Sequence, residues 1–152
     1  MLKVKKLSPL ATLPTVAHPG EDLGYDVYAL GYTMLEPGVP TAVSTGIAAS
    51  FTIQESGMST VEGTQPRKFG LLVRDRSSMA AKGVKTSAGV IDSSYTGELK
   101  IMMTSTYFYQ IEAGHKIAQI LPTEVFTGTG IEEVGDLGET TRGNKGFGST
   151  GV

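Results

Sequence analysis

The chain has 152 residues, 20 of them glycine and none cysteine, with a net charge of −2. One domain of that length buries about 68–70% of its extended surface; the lack of cysteine excludes disulfides, thiolate metal sites and a cysteine nucleophile, and the charge excludes a global field for holding a nucleic acid polymer. The opening MLKVKKLSPL holds no apolar run of signal-peptide length and no later stretch is long enough to span a bilayer, so a soluble cytoplasmic chain with no membrane partner is expected.

Glycine scattered between short β-branched stretches reads as many turns. In chain order, VSTGIAASFTI predicts one strand over 43–53, with Val43, Thr45, Ile47, Ala49, Phe51 and Ile53 on one face. Residues 54–68, QESGMSTVEGTQPRK, are polar and read as a loop or hairpin insertion, most simply a harmless excursion. KFGLLVRD sets Phe69, Leu71 and Val73 on one face of the next strand, and SSMAAKG predicts the one short helix, capped by Ser77 or Ser78 and ended by Gly83. AGVIDSSYTGELK reads as a hairpin. ELKIMMT repeats the alternation with Leu99, Ile101 and Met103, and TYFYQIE repeats it with Tyr107, Tyr109 and Ile111. HKIAQILPTEVF gives a last strand, broken at Pro122. Residues 127–143, rich in glycine and acid, read as a tether to a mobile arm over 142–152. The sum is a single all-β domain, a sandwich or barrel, over residues 1–152.

Two histidines, His18 and His115, without cysteine leave little for a protein-ligated zinc site. RGNKGFGST fails as a Walker loop, which needs lysine directly before Ser/Thr and a helix after it, and there is no GxSxG elbow. What remains is carboxylates and hydroxyls at strand ends and turns. Asp26 lies in GYDVYA; Asp75, Arg76, Ser77 and Ser78 lie in RDRSSMAAKG; Asp92 and Tyr95 lie in AGVIDSSYTGELK. An aspartate fixed at the end of a buried strand suits a general base for water, and the competing reading is an Asx-turn aspartate. In RGNKGFGSTG the glycines suit either a flexible tail or a flap closing on a phosphorylated ligand, with Arg142, Ser149 and Thr150 taking phosphate and Phe147 covering a base.

Taken in order, LGYDVYA, DRSSMAAKG, AGVIDSSYTGE, GHKIAQI and RGNKGFGSTG resemble the five motifs of the trimeric dUTPase family, over Leu23 to Gly151. The resemblance implies a distorted jelly-roll subunit of a homotrimer whose active sites are shared between subunits. It also implies hydrolysis of dUTP to dUMP and pyrophosphate, which removes dUTP from the nucleotide pool and supplies dUMP for thymidylate synthesis. Asp92 would then orient and deprotonate the water that attacks the α-phosphorus in line, and Tyr95 would pack under the deoxyribose. Backbone groups around Gly89 and Ile101 would pair with uracil. Ser77 and the amide of Ser78 would bind phosphate, as would Gln119. Arg76 would pair with Asp26, which would hold water on a Mg2+ ion carried mainly by the triphosphate. Phe147 would stack on uracil, Arg142 would clamp the γ-phosphate, and Gly148, Ser149 and Thr150 would complete the flap.

The chain departs from the family pattern at several positions. Ser78 replaces a glycine, Ser94 an acidic residue and Thr86 an asparagine, and His115 and Lys116 stand where an acidic residue and an arginine are common; both of these read as surface changes. The related dCTP deaminases share an RSS-like segment, but the position of their catalytic glutamate is Met102 here. A nucleotide-binding regulatory trimer with incidental hydrolysis is the other alternative.

Overall fold

The computed structural model describes residues 1–53, 67–126, 130–141 and 143. Their eleven strands are β1 (Leu2–Lys6), β2 (Tyr25–Tyr28), β3 (Thr33–Leu35), β4 (Thr41–Ser44), β5 (Ile47–Phe51), β6 (Phe69–Arg74), β7 (Val84–Ser87), β8 (Val90–Ile91), β9 (Lys100–Ser105), β10 (Tyr109–Ile111) and β11 (Lys116–Glu124), with one helical turn, α1 (Ser77–Ala80), between β6 and β7. A six-stranded sheet runs β1-β5-β6-β11-β2, with β8 also on β6; β4-β9-β7 form a second sheet and β10-β3 a third. Every strand pairing is antiparallel.

The predicted alternation packs one core. Ile101 and Met103 of β9, Leu71 and Val73 of β6, and Val43, Ile47 and Ala49 join Val27, Leu35, Val84, Ile111, Ile117 and Ile120 in a single buried cluster. Burial of each large side chain is worth about 1.5–3 kcal/mol, which is what holds these short strands in register.

The single strand expected over 43–53 is two strands in different sheets. Gly46, at φ 68°, turns the chain from β4 into β5, and a Cβ there would lie 2.9 Å from Leu30 and 3.0 Å from Ala11. Thr45 stays buried through the corner by donating its hydroxyl to the Leu99 carbonyl, and Ile53 at the far end is exposed.

Three other boundaries differ from the sequence reading. Strand β11 runs unbroken through Pro122, because β2 pairs with it only as far as Ile120 and the proline meets one neighbour, β6. Strand β10 starts at Tyr109, leaving Tyr107 exposed. The cap position of α1 is Arg76, with no side-chain cap bond from either serine, and Gly83, at φ 68°, follows the turn that closes the helix.

The expected insertion over 54–68 lies outside the described residues up to 66. Arg67 and Lys68 belong to the sheet margin: Arg67 Nε bonds Glu124 Oε1 at 2.7 Å, and the Lys68 carbonyl accepts from Val125 at 2.7 Å. No helix among the described residues is long and apolar enough to cross a membrane.

Candidate active site

Strands β7 and β9 pair from Val84↔Ser105 to Ser87↔Met102 and then part. The departure occurs at Ala88, whose φ of 52° is rare for a residue with a Cβ and stores strain of a kind that clusters at functional sites. Gly89 then crosses to β6, where its carbonyl accepts from Val73 at 2.7 Å and a Cβ would stand 2.6 Å from the Val73 carbonyl. Strand β8 therefore pairs with β6, through Leu71↔Ile91 and Leu72↔Val90, rather than forming the expected hairpin with β9. The gap is a cleft of about 480 Å³ lined by residues that include Ala88, Asp92, Tyr95, Glu98 and Lys100. That volume suits a small ligand.

At the lip of the cleft, the Asp92 backbone carbonyl accepts from Tyr95 N–H at 3.0 Å, while its carboxylate accepts no hydrogen bond among the described residues. This is not the bonding of an Asx turn. Asp92 is exposed in the single chain and Val90 of β8 before it is 75% exposed, so the buried strand end expected for a general base is absent there. Tyr95, 47% exposed, is steadied by its hydroxyl on the Glu98 carbonyl at 3.0 Å. Glu98 in turn accepts from Gly46 N–H at 2.9 Å, tying the cleft to the corner between the sheets. Ile101 is 1% exposed and opposite Val43; its side chain belongs to the core and only its backbone reaches the level where the strands part. Thr86 gives its N–H and hydroxyl to Asp75 Oδ1 at 2.6 and 2.7 Å, so its side chain braces β7 against the loop after β6.

A second polar cluster sits at the other end of β6. Asp26, buried on β2, receives Arg76 Nε on Oδ1 at 2.9 Å and Lys116 Nζ on Oδ2 at 2.9 Å, with Gln119 Nε2 3.4 Å from Oδ1. Burial pushes its carboxyl upward, but the hydrogen bonds of Lys116 and Arg76 outweigh this and hold it below the ordinary 3.8. The same bond holds Lys116 above its ordinary 10.5. The pairing of Arg76 with Asp26 is thus observed, and the reading of Lys116 as a surface change is corrected.

Alternation alone hides Lys116. Residues 116 and 119 of a regular strand face opposite sides, yet both reach Asp26. The register of β11 on β2 shifts by one between Lys116↔Tyr28 and Ala118↔Val27, and this bulge brings the lysine round to the face of Gln119. Ser77 and Ser78 follow at the start of α1, where the first amides of a helical turn have no intrahelical acceptor. Ser78 Oγ accepts from Arg76 Nη1 at 3.1 Å, which gives the departure from glycine a use.

The two clusters do not meet within one chain. Asp92 leaves β8 alongside Gly70, and Arg76 lies six residues further along extended chain, about 20 Å away at 3.3 Å per residue. Between 130 and 141 the chain forms no strand, and Ile131 and Leu137 are 104% and 92% exposed. Arg142, Phe147, Gly148, Ser149 and Thr150 lie outside the described residues.

The family model described as dUTPase matches residues 11–151. The chain belongs to the dUTPase family. Among its relatives, the deoxyuridine 5'-triphosphate nucleotidohydrolase of Solibacter usitatus is 36% identical over 99% of this chain and 95% of its own length. That of Clostridioides difficile is also 36% identical, over 99% and 97%. The Staphylococcus bacteriophage 80alpha dUTPase, solved with dUpNHpp, a dUTP analogue, superposes with a TM-score of 0.80 at 27% identity, covering 100% of this chain and 99% of that one. A phage phi11 dUTPase variant described with a structural Mg(II) ion shares the fold at a TM-score of 0.72 and 23% identity, over 90% of this chain and 98% of that one. The all-β architecture is the jelly roll of this family.

Proposed function

We propose that this chain hydrolyses dUTP to dUMP and pyrophosphate, with Asp92 as the general base. The observation that carries the reading is the parting of β7 and β9 at Ala88, which opens a cleft with an unbonded carboxylate, Asp92, and an aromatic ring, Tyr95, at its lip. The backbone around Gly89 and Ile101, apart from the Gly89 carbonyl already bonded by Val73 N–H, supplies fixed donors and acceptors for the edge of uracil. Tyr95 lies under the sugar and leaves no room for a 2′-hydroxyl.

Asp92 takes a proton from water as the water oxygen bonds to the α-phosphorus. The bond from that phosphorus to the bridging oxygen breaks on the opposite side, and pyrophosphate leaves with its electrons. No covalent enzyme intermediate forms. Ser77, the amide of Ser78, Arg76 and Gln119 bind the phosphates. From the terminal flap, Phe147 stacks on uracil, Arg142 holds the γ-phosphate, and Gly148, Ser149 and Thr150 close over the chain of phosphates.

Among the described residues no three His, Cys, Asp or Glu side chains group to hold a metal ion. A carboxylate offers about four lone-pair sites; Arg76, Gln119 and Lys116 use three on Asp26. The remaining one on Oδ2 fits a water of a hydrated Mg2+ carried by the triphosphate. When bound, that ion neutralises charge developing on the phosphate oxygens.

The separation of about 20 Å between the Asp92 and Arg76 levels supports a site built from more than one copy, with Asp92 of one subunit facing Arg76, Ser77 and Gln119 of another. The exposed Ile131, Val134 and Leu137 on the way to the flap fit a segment that packs on a neighbour. We infer a homotrimer, as the motifs imply.

Pyrophosphate release with Mg2+ from dUTP, dCTP, dTTP and UTP tests the reading. Release from dUTP far above the other three supports it. Equal release from all four, or none from dUTP, overturns it.

A further inference from the structure

Arginine ordinarily meets a carboxylate with two parallel bonds. Arg76 makes one: Nε goes to Asp26 Oδ1, while Nη2, the nitrogen that makes the second bond beside Nε in the Arg67–Glu124 pair, makes none to Asp26, and Nη1 on the other edge goes to Ser78 Oγ. The oxygen that would receive a second arginine bond, Oδ2, is held by Lys116 at 2.9 Å. Of five guanidinium N–H donors, three therefore have no partner among the described residues. Lys116 is fixed by the sheet rather than by a loop. It faces Tyr28 across the β2–β11 ladder, its ammonium is 5.9 Å from that ring, and the Tyr28 hydroxyl is 2.7 Å from Thr15 Oγ1.

We propose that Lys116 is a positioning residue for Arg76: by binding Asp26 Oδ2 it competes with the guanidinium for that oxygen, so that Arg76 keeps its spare donors for substrate phosphate. This rests on reading the Arg76 end as the phosphate site. Without Lys116, Asp26 would be a buried carboxylate with one oxygen unsatisfied, and the nearest remaining cation is Arg76. Rotation of Arg76 toward Oδ2 would satisfy the carboxylate at the expense of the ligand. Arginine at position 116 would still supply a cation to Oδ2, whereas methionine, of similar length, would not.

The test measures KM and kcat for dUTP in wild type, Lys116→Met, Lys116→Arg, Asp26→Asn and the double variant Asp26→Asn/Lys116→Met, with folding checked by thermal melting. Lys116→Met is expected to raise KM by about ten-fold or more, the worth of one charge-assisted phosphate contact, with a smaller change in kcat. Lys116→Arg is expected to restore KM. In the Asp26→Asn background, where no carboxylate draws on Arg76 and no buried charge is left unpaired, Lys116→Met is expected to change KM little. An unchanged KM in folded Lys116→Met, an Lys116→Arg as impaired as Lys116→Met, or a ten-fold rise within the Asp26→Asn background overturns the proposal. The last comparison applies even if the single Lys116→Met chain does not fold. A wild type that releases no pyrophosphate from dUTP overturns the functional reading instead.

Discussion

Asp92 and Arg76 stand at opposite ends of one strand, Asp92 leaving β8 beside Gly70 and Arg76 following the far end of β6. A base for water and a phosphate-binding arginine must act within a few ångströms of one triphosphate. The extended chain between them is far longer than that, so under the proposed chemistry each copy would carry two half-sites that face different ligands.

Replacing Asp92 with asparagine keeps the shape of the lip and removes the proposed base. Its kcat for dUTP is expected to fall by on the order of 10²–10⁴-fold, while binding of dUpNHpp, measured by calorimetry, changes little. Unchanged turnover would remove Asp92 from the chemistry.

Thr86 spends its hydroxyl on Asp75 rather than on a ligand. Thr86→Val is therefore expected to lower stability by about 0.5–1.5 kcal/mol in denaturant titration, with the preference for dUTP over dCTP unaltered. A change in that preference without loss of stability would place the hydroxyl at the base.

Ile101 contributes its side chain to the core and only backbone to the cleft. Ile101→Val is expected to cost about 0.5–1.5 kcal/mol in the same titration and to leave KM for dUTP unchanged. A raised KM at unchanged stability would mean that the side chain touches the ligand.

The Asp26 cluster gives stability a defined pH profile. Asp26 is held below its ordinary 3.8, so its contribution is present above that value and is lost as pH falls through its lower folded pKa. Lys116 is held above its ordinary 10.5, so its contribution is present below that value and is lost as pH rises through its higher folded pKa. These are two ends of one pair and do not add. Thermal melts from pH 2 to pH 12 are expected to show the cluster's contribution constant between about 4 and 10.5 and declining outside; in Asp26→Asn/Lys116→Met both of these declines should be reduced.

Much of this was legible in the sequence because it is local. Inward faces such as Leu99, Ile101 and Met103 follow from period two, and the motifs around Asp26, Arg76 and Asp92 keep their residues in one order and spacing. What was not legible depends on tertiary context. The alternation of Val43, Thr45, Ile47 and Ala49 passes through Gly46 without interruption, so the change of sheet there is invisible to periodicity. Pro122 reads as a break unless one knows that β2 has already ended at Ile120. Lys116 joins Gln119 on Asp26 only because a bulge adds one residue, and nothing in HKIAQI announces a bulge. The partner of the VID segment depends on the turn at Ala88, which sends β8 to β6.

The shared site is tested most directly by mixing. Asp92→Asn and Arg76→Gln chains, each strongly impaired alone, are denatured together, refolded as a mixture and assayed for pyrophosphate release from dUTP. If the site is built between copies as proposed, mixed assemblies contain sites that draw Asp92 from one variant and Arg76 from the other, so the mixture is expected to exceed both parents clearly. Activity no greater than the mean of the two parents would contradict a site built between copies.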